Sequence, residues 1–261
     1  MIADGHTHPG RMASARFASG HLGLRDVPMI LMYHGVTEVA EDPNRLCVTP
    51  ARFAEQMAWL KRRRLRGVGI GALVDAMREG RHQRLVGITF DDGYANVLEA
   101  ALPELQRHGF GATVFIISGR LGGTNEWDEG PSWPLLSASQ VGELAAGGIE
   151  IGSHAATHMR LAGVSAELLA AEVSASRTSL AALLGTEIRG FAYPYGSMDA
   201  AARQAVRDAG YEYACAVETP IAELGLMALP RIYAGQQDTA ARMATKRLLY
   251  KGYIGLRGRR Q

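Results

Sequence analysis

Strand-sized apolar runs recur along this chain with helical patterns between them, and that alternation limits the fold more than any other feature. The runs occupy residues 27–33, 85–90, 112–117, 149–153, 188–192 and 213–217. The first, Val27-Pro28-Met29-Ile30-Leu31-Met32-Tyr33, is apolar on both faces, as a strand inside a parallel sheet must be. Helical periodicity covers 97–108, interrupted by Pro103, and then 139–146, 166–184 and 199–208. A further helix starts after Thr49, which can cap it, with Pro50 in the first position and Phe53, Met57 and Leu60 on one face. It ends in the basic cluster from Lys61 to Arg66, read as a solvated helix end. Strand followed by helix, repeated, specifies an α/β parallel sheet covered by helices, either doubly wound or closed as a barrel. In both arrangements chemistry collects where the strands end.

With 261 residues and 47% hydrophobic content the chain can bury one large core, which excludes a disordered or fibrous protein. The expected organisation is an extension over 1–26, which lacks periodicity, one domain over 27–238, and a basic tail over 239–261. The net charge of +2 hides an uneven distribution. From Thr239 onward there are seven basic residues and no acidic one, which leaves 21 basic against 26 acidic residues in the first 238. Cys47 and Cys215 are too few for a disulfide framework and read as small apolar residues. No export signal and no membrane-spanning run is visible, so the expected location is cytoplasmic, with the basic tail as a contact to an anionic membrane. Net charge gives no reason to expect a nucleic-acid partner.

Three strand ends carry chemistry. Residues 85–90 run into Asp91-Asp92-Gly93, and adjacent carboxylates at a strand end are held there by a cation or a catalytic demand, although Asp-Asp-Gly is also ordinary turn chemistry. Residues 149–153 run into His154-Ala155-Ala156-Thr157-His158, where a helical segment would put both imidazoles on one face, within reach of one metal ion. Residues 188–192 run into Tyr193-Pro194-Tyr195-Gly196, a rigid turn able to aim backbone N–H groups at the same mouth. One Asp with two His makes a three-ligand metal site with an open position and leaves the other Asp free as a base.

Here the chain resembles the polysaccharide deacetylases of the NodB-like type, also called carbohydrate esterase family 4. The resemblance lies in Thr89-Phe90-Asp91-Asp92-Gly93, in Ser153-His154-Ala155-Ala156-Thr157-His158 and in Phe191-Ala192-Tyr193-Pro194-Tyr195-Gly196, and extends from about residue 27 to 232. It implies a distorted (β/α) barrel of about seven parallel strands in a single domain. It also implies Asp92, His154 and His158 as ligands of a divalent metal, most simply Zn2+ with Co2+ or Ni2+ as alternatives. Asp91 would be the catalytic base, and the backbone N–H of Tyr195 would contribute to the oxyanion hole. Many members carry an Arg in the third motif, where this chain has Ala192, and a C-terminal Leu-x-His, whereas no His follows His158 here. His34, at the end of the first strand, is the expected replacement for the acid, as in branches with Tyr-His at this point. Arg231 is the expected partner of Asp91. Trp127, Asp128 and Tyr193 are the expected substrate contacts.

The expected reaction is metal-dependent hydrolysis of a linear amide, removing acetyl from an N-acetylated amino sugar, oligosaccharide or sugar conjugate. An O-acetyl ester or small non-sugar amide is the alternative substrate, and an inactive binding module on the same scaffold the lesser alternative. Asp4-Gly5-His6-Thr7-His8 looks like the opening of the polymerase and histidinol phosphatase metal-dependent phosphoesterases, but only three residues precede it where a buried strand is needed.

Overall fold

The structure is a computed structural model that describes residues 22–23, 27–217 and 219–257. In chain order the strands are β1 (Ile30–Tyr33), β2 (Gly35–Val36), β3 (Cys47–Val48), β4 (Arg66–Val68), β5 (Leu85–Phe90), β6 (Thr113–Ile116), β7 (Glu150–Ser153), β8 (Gly190–Ala192), β9 (Tyr213–Ala216), β10 (Leu229–Pro230) and β11 (Ile232–Tyr233). The α-helices are α1 (Pro50–Arg62), α2 (Ile70–Arg78), α3 (Leu102–His108), α4 (Ala138–Ala146), α5 (Ala166–Leu184), α6 (Ala200–Asp208) and α7 (Ala240–Arg257).

The main sheet is parallel throughout and runs β10-β9-β8-β7-β6-β5-β1-β11. Its two edge strands are consecutive in sequence. Leu229 and Pro230 pair with Cys215 and Ala216 of β9, and two residues later Ile232 and Tyr233 pair with Leu31 and Met32 of β1. One five-residue segment therefore changes partner at Arg231 and brings the sheet round into a nearly closed (β/α) barrel of seven strands, a single α/β domain. Strand β4 wedges in beside the start of β5, pairing Arg66 with Leu85, while Gly111 N donates to Gly67 O at 3.0 Å. Inside the barrel Gly190 lets the Tyr213 ring through, since a Cβ there would lie 2.1 Å from Tyr213 Cζ.

Local sequence accounts for several helix starts. Thr49 Oγ1 accepts from Arg52 N at 3.2 Å and Pro50 occupies the first turn of α1. Ser137 and Gln140 bond reciprocally at the start of α4. Pro103 does not interrupt its helix. The chain first makes a π-helical turn over Val97–Ala101, and α3 then starts so that Pro103 falls in its first turn, where no intrahelical donor is needed.

The segment read as a basic tail is helical through 257 and has one face on the barrel. Met243 and Tyr250 of α7 are buried, and Lys246 Nζ donates to Asp238 Oδ2 at 2.6 Å and Tyr233 O at 2.7 Å. The Tyr250 hydroxyl lies 2.7 Å from Pro28 O and 3.2 Å from Pro230 O, so α7 is tied to both strands at the seam. Within the expected extension Leu22 is buried and its N–H donates to Leu224 O at 3.0 Å. The Asp4–His8 motif lies outside the described residues. Replacing Tyr250 by Phe removes the hydroxyl that bonds both carbonyls, so Tyr250→Phe should lower unfolding free energy by about 1–2 kcal/mol, read as a lower urea midpoint with an unchanged slope.

Candidate active site

Parallel strands deliver their following residues to one mouth. Asp91 and Asp92 follow β5, His154 follows β7, Tyr193 follows β8 and His34 follows β1. Asp92 Oδ1 lies 3.4 Å from His154 Nε2 and 3.3 Å from His158 Nε2, and one donor atom from each residue falls within 4.8 Å of the others. All three residues are buried, yet Asp92 Oδ1 makes no hydrogen bond of acceptable angle to either ring. Three donor atoms this close, with Asp92 Oδ1 unbonded, form a set whose centre a cation could fill. The set of one carboxylate and two imidazoles suits a first-row divalent ion and leaves coordination positions open. His154 Nδ1 lies 2.8 Å from Ala192 O; a carbonyl only accepts, so this nitrogen carries the proton and Nε2 presents its lone pair to the centre.

The two histidines do not share a helix face. Residues 154–158 are irregular, with left-handed backbone at Ala155 (φ 63°) and His158 (φ 70°), and this winding turns both rings to the same point. The loop is held from beneath by α5. Glu172 Oε2 accepts from Ala156 N at 3.0 Å and Thr157 N at 2.9 Å, and Glu172 Oε1 accepts from Thr157 Oγ1 at 2.8 Å. Ser176 Oγ donates to Ala155 O at 3.1 Å and lies 2.7 Å from Ser153 Oγ. Sequence reasoning missed Glu172, although a signal exists. It sits with Leu169, Val173, Ser176 and Leu180 in the buried stripe of α5, where an acid needs a partner.

Asp91 is gripped by Arg231, whose Nη1 lies 2.6 Å from Oδ1 and Nη2 2.7 Å from Oδ2. Nη1 also donates to Thr89 Oγ1 at 3.1 Å, and the guanidinium carbon stands 5.5 Å from the Phe115 ring centre. Arg231 is the largest fully buried side chain described. Burial alone would raise the Asp91 pKa. The charge of Arg231, then that of His154, outweighs it and holds the carboxyl below the ordinary carboxylate range.

At the mouth, Trp127 and Tyr195 each bring a ring to 4.6 Å from that of His158, and Arg160 lies 4.1 Å above Tyr195. Tyr195 has left-handed backbone (φ 57°), and its hydroxyl donates to Asp128 Oδ1 at 3.0 Å. Asp128 is thus engaged by Tyr195 as well as exposed. Tyr193 lines the cleft, and its hydroxyl is committed to a hydrogen bond that it donates to Met227 O at 3.0 Å. The cleft is small, about 90 Å3, and is lined by His34, the metal-site residues and an apolar wall of Met32, Leu46 and Val217. That wall comes from three distant segments and has no signature in the sequence.

The family model described as polysaccharide deacetylase matches residues 78–214, just over half of the chain. YxkH of Bacillus subtilis is 27% identical over 207 residues, covering 78% of this chain and 70% of that protein. The poly-beta-1,6-N-acetyl-D-glucosamine N-deacetylase of Staphylococcus epidermidis is 26% identical over 178 residues, covering 64% of this chain and 60% of that enzyme. Among solved structures, Streptococcus pyogenes deacetylase PplD in complex with acetate superposes with a TM-score of 0.73 at 22% identity, over 84% of this chain and 97% of that one. IcaB from Ammonifex degensii gives 0.70 at 24% identity, over 84% and 96%. These two likenesses show the same barrel. With its matched sequence pattern and the site at its strand ends, the chain belongs to the polysaccharide deacetylase family.

Proposed function

We propose that this protein is a metal-dependent deacetylase that hydrolyses the acetamide of an N-acetylated amino sugar within an oligosaccharide, polymer or sugar conjugate. The observation that carries this reading is the convergence of Asp92, His154 and His158 beside the Arg231-held carboxylate of Asp91. Asp92, His154 and His158 would hold the metal. A divalent ion there supplies Lewis acidity toward the acetyl carbonyl and lowers the pKa of a bound water.

The remaining roles fall to the chain's own groups. Asp91 accepts the proton of the attacking water. Its two oxygens are each occupied once by Arg231, and a carboxylate has about four acceptor positions, so lone pairs remain for that proton. Arg231 keeps the carboxylate ionised and in one orientation. The backbone N–H of Tyr195, set by its left-handed turn, faces the developing oxyanion. The amine cannot leave as an anion, and His34 is the donor. It lines the cleft, and its Nδ1 has no hydrogen-bond partner among the described residues. The Met32, Leu46 and Val217 wall receives the acetyl methyl, and the narrow cleft keeps the sugar ring outside, where the half-buried Trp127 offers a stacking face.

Acetate release from acetylated amino-sugar oligomers tests the reading. Chelation should abolish it, Zn2+, Co2+ or Ni2+ should restore it, and Asp92→Asn and His158→Ala should not be restorable. Full turnover in chelator or in Asp92→Asn would sink the assignment. His34→Ala should lower kcat on the amide by about 100-fold or more while sparing an aryl acetate, whose leaving group departs without protonation; equal losses on both would remove His34 from the acid role. Arg231→Met leaves Asp91 buried and unpaired, so the metal-free variant should lose about 3–5 kcal/mol in urea unfolding, and kcat should fall more than KM changes.

A further inference from the structure

At the end of the barrel opposite the metal site, two distant segments join into one basic face. The end of α1 supplies Arg62, Arg63 and Arg64; Arg66 opens β4, and its N–H donates to Arg84 O at 2.9 Å. All five side chains are exposed. Helix α7 brings Arg247 to the same place, since Arg63 and Arg247 line one cavity of about 600 Å3 with Trp59, Leu65, Leu85 and Leu248. None of these six arginines forms an ion pair among the described residues, whereas Arg78 and Arg81 nearby are paired. The only acids between residues 61 and 84 are Asp75 and Glu79, and those arginines and Arg189 engage them. A solvated helix end would scatter its charges. Here Arg63 and Arg247, from two distant segments, meet at a cavity with an apolar wall; Arg62 and Arg64 flank Arg63 in sequence, and Arg66 and Arg84 are joined by their backbone hydrogen bond.

The second feature is apolar. Leu248 is 83% exposed and Leu249 56%, the two most exposed large hydrophobics described. Both lie on α7, on the side away from the buried Met243 and Tyr250. No described helix is long and apolar enough to cross a membrane. Leu249 borders a separate cavity with Val217 and Tyr233, whereas Leu248 shares the cavity of Arg63 and Arg247. An outward leucine beside Arg247 and backed by unpaired arginines is the pattern of a surface that lies on an anionic bilayer, the apolar side chain entering the interface and cations meeting headgroups. A nucleic-acid surface would use the same charge but has no use for a leucine this bare.

We propose that this face docks the protein on an anionic lipid bilayer, with Arg62, Arg63, Arg64, Arg66, Arg84 and Arg247 meeting lipid phosphates and Leu248 inserting among them. The face lies where the strands begin, and the six residues of β5 span about 20 Å before Asp91. A docked molecule therefore turns its metal site away from the bilayer. If the deacetylase reading above holds, its substrate sugar stands well clear of the headgroups, on a glycan chain rather than next to its lipid.

The test uses the full chain and does not depend on activity. Purified protein is co-sedimented at low salt with vesicles of phosphatidylcholine mixed with phosphatidylglycerol, and with phosphatidylcholine alone. The expected result is partition onto the anionic vesicles only, falling as salt rises. The triple variant Arg62→Ala, Arg63→Ala, Arg64→Ala should bind about 100-fold more weakly, and Leu248→Ser several-fold more weakly, both with unchanged thermal unfolding. Absence of partition at low salt, equal partition onto neutral vesicles, or undiminished binding by both variants overturns the proposal. So does tighter retention on a DNA duplex than on anionic vesicles at matched salt, which would assign the face to nucleic acid.

Discussion

The bidentate pair between Arg231 and Asp91 is the point on which both barrel and site depend. Arg231 is the residue at which the closing segment leaves β9 and joins β1, so its backbone sits at the seam and its side chain fills the barrel interior. An arginine cannot be buried there without an anion, and an aspartate cannot be buried at Asp91 without a cation. Each satisfies the other, and Thr89 takes one remaining donor. Replacing the pair by apolar residues could leave a stable barrel, because buried ion pairs seldom stabilise more than well-packed hydrophobic groups. What the pair adds is a carboxylate held ionised in one orientation beside Asp92, His154 and His158.

Around that pair the chain accepts backbone conformations it avoids elsewhere. Six non-glycine residues have left-handed backbone among those described, and four of them, Asp92, Ala155, His158 and Tyr195, are at or next to the site. Each costs about 1–2 kcal/mol relative to ordinary backbone. The offset comes from the seven-strand core and from specific anchors: Glu172 under the histidine loop, Ala192 O behind His154, Asp128 on the Tyr195 hydroxyl. The loops at the strand ends are therefore strained but fixed, and the orphaned Asp92 Oδ1 shows the polarity this rigidity holds ready for a cation.

The barrel was legible because parallel strands buried on both faces write continuous apolar runs, and every run in the sequence overlaps a strand of the structure by all but a residue or a few at its ends. What escaped were elements whose local sequence carries no period. Strand β4 is three residues at the end of a basic cluster, β2 and β3 are two residues each, and α7 begins in a stretch whose charge hides its Met243 and Tyr250 anchors. The convergence of Asp92, His154 and His158 was legible from short motifs at strand ends. The apolar wall of Met32, Leu46 and Val217 was not, because nothing local distinguishes a methionine facing a cleft from one facing the core. Tyr193 shows the converse, since its place in a motif suggested substrate contact while its phenol is committed to Met227 O.

The position of Arg231 also explains how Asp91 is paired although the third motif offers Ala192 instead of the arginine that the resemblance leads one to expect. Strand β8, which ends at Ala192, is separated from β5 by β6 and β7, so an arginine there would reach Asp91 across the barrel mouth. The closing segment reaches it instead from the other side, through β1, the direct neighbour of β5. Two guanidinium groups converging on one buried carboxylate would leave one of them without a counter-charge, so a barrel that takes its cation from the seam has no use for a second one at 192. The backbone carbonyl of residue 192, which does not depend on the side chain there, fixes the proton on His154 Nδ1, while Arg231 packs against Phe115. Asp91 thus takes its counter-charge from the segment that closes the fold rather than from the third motif.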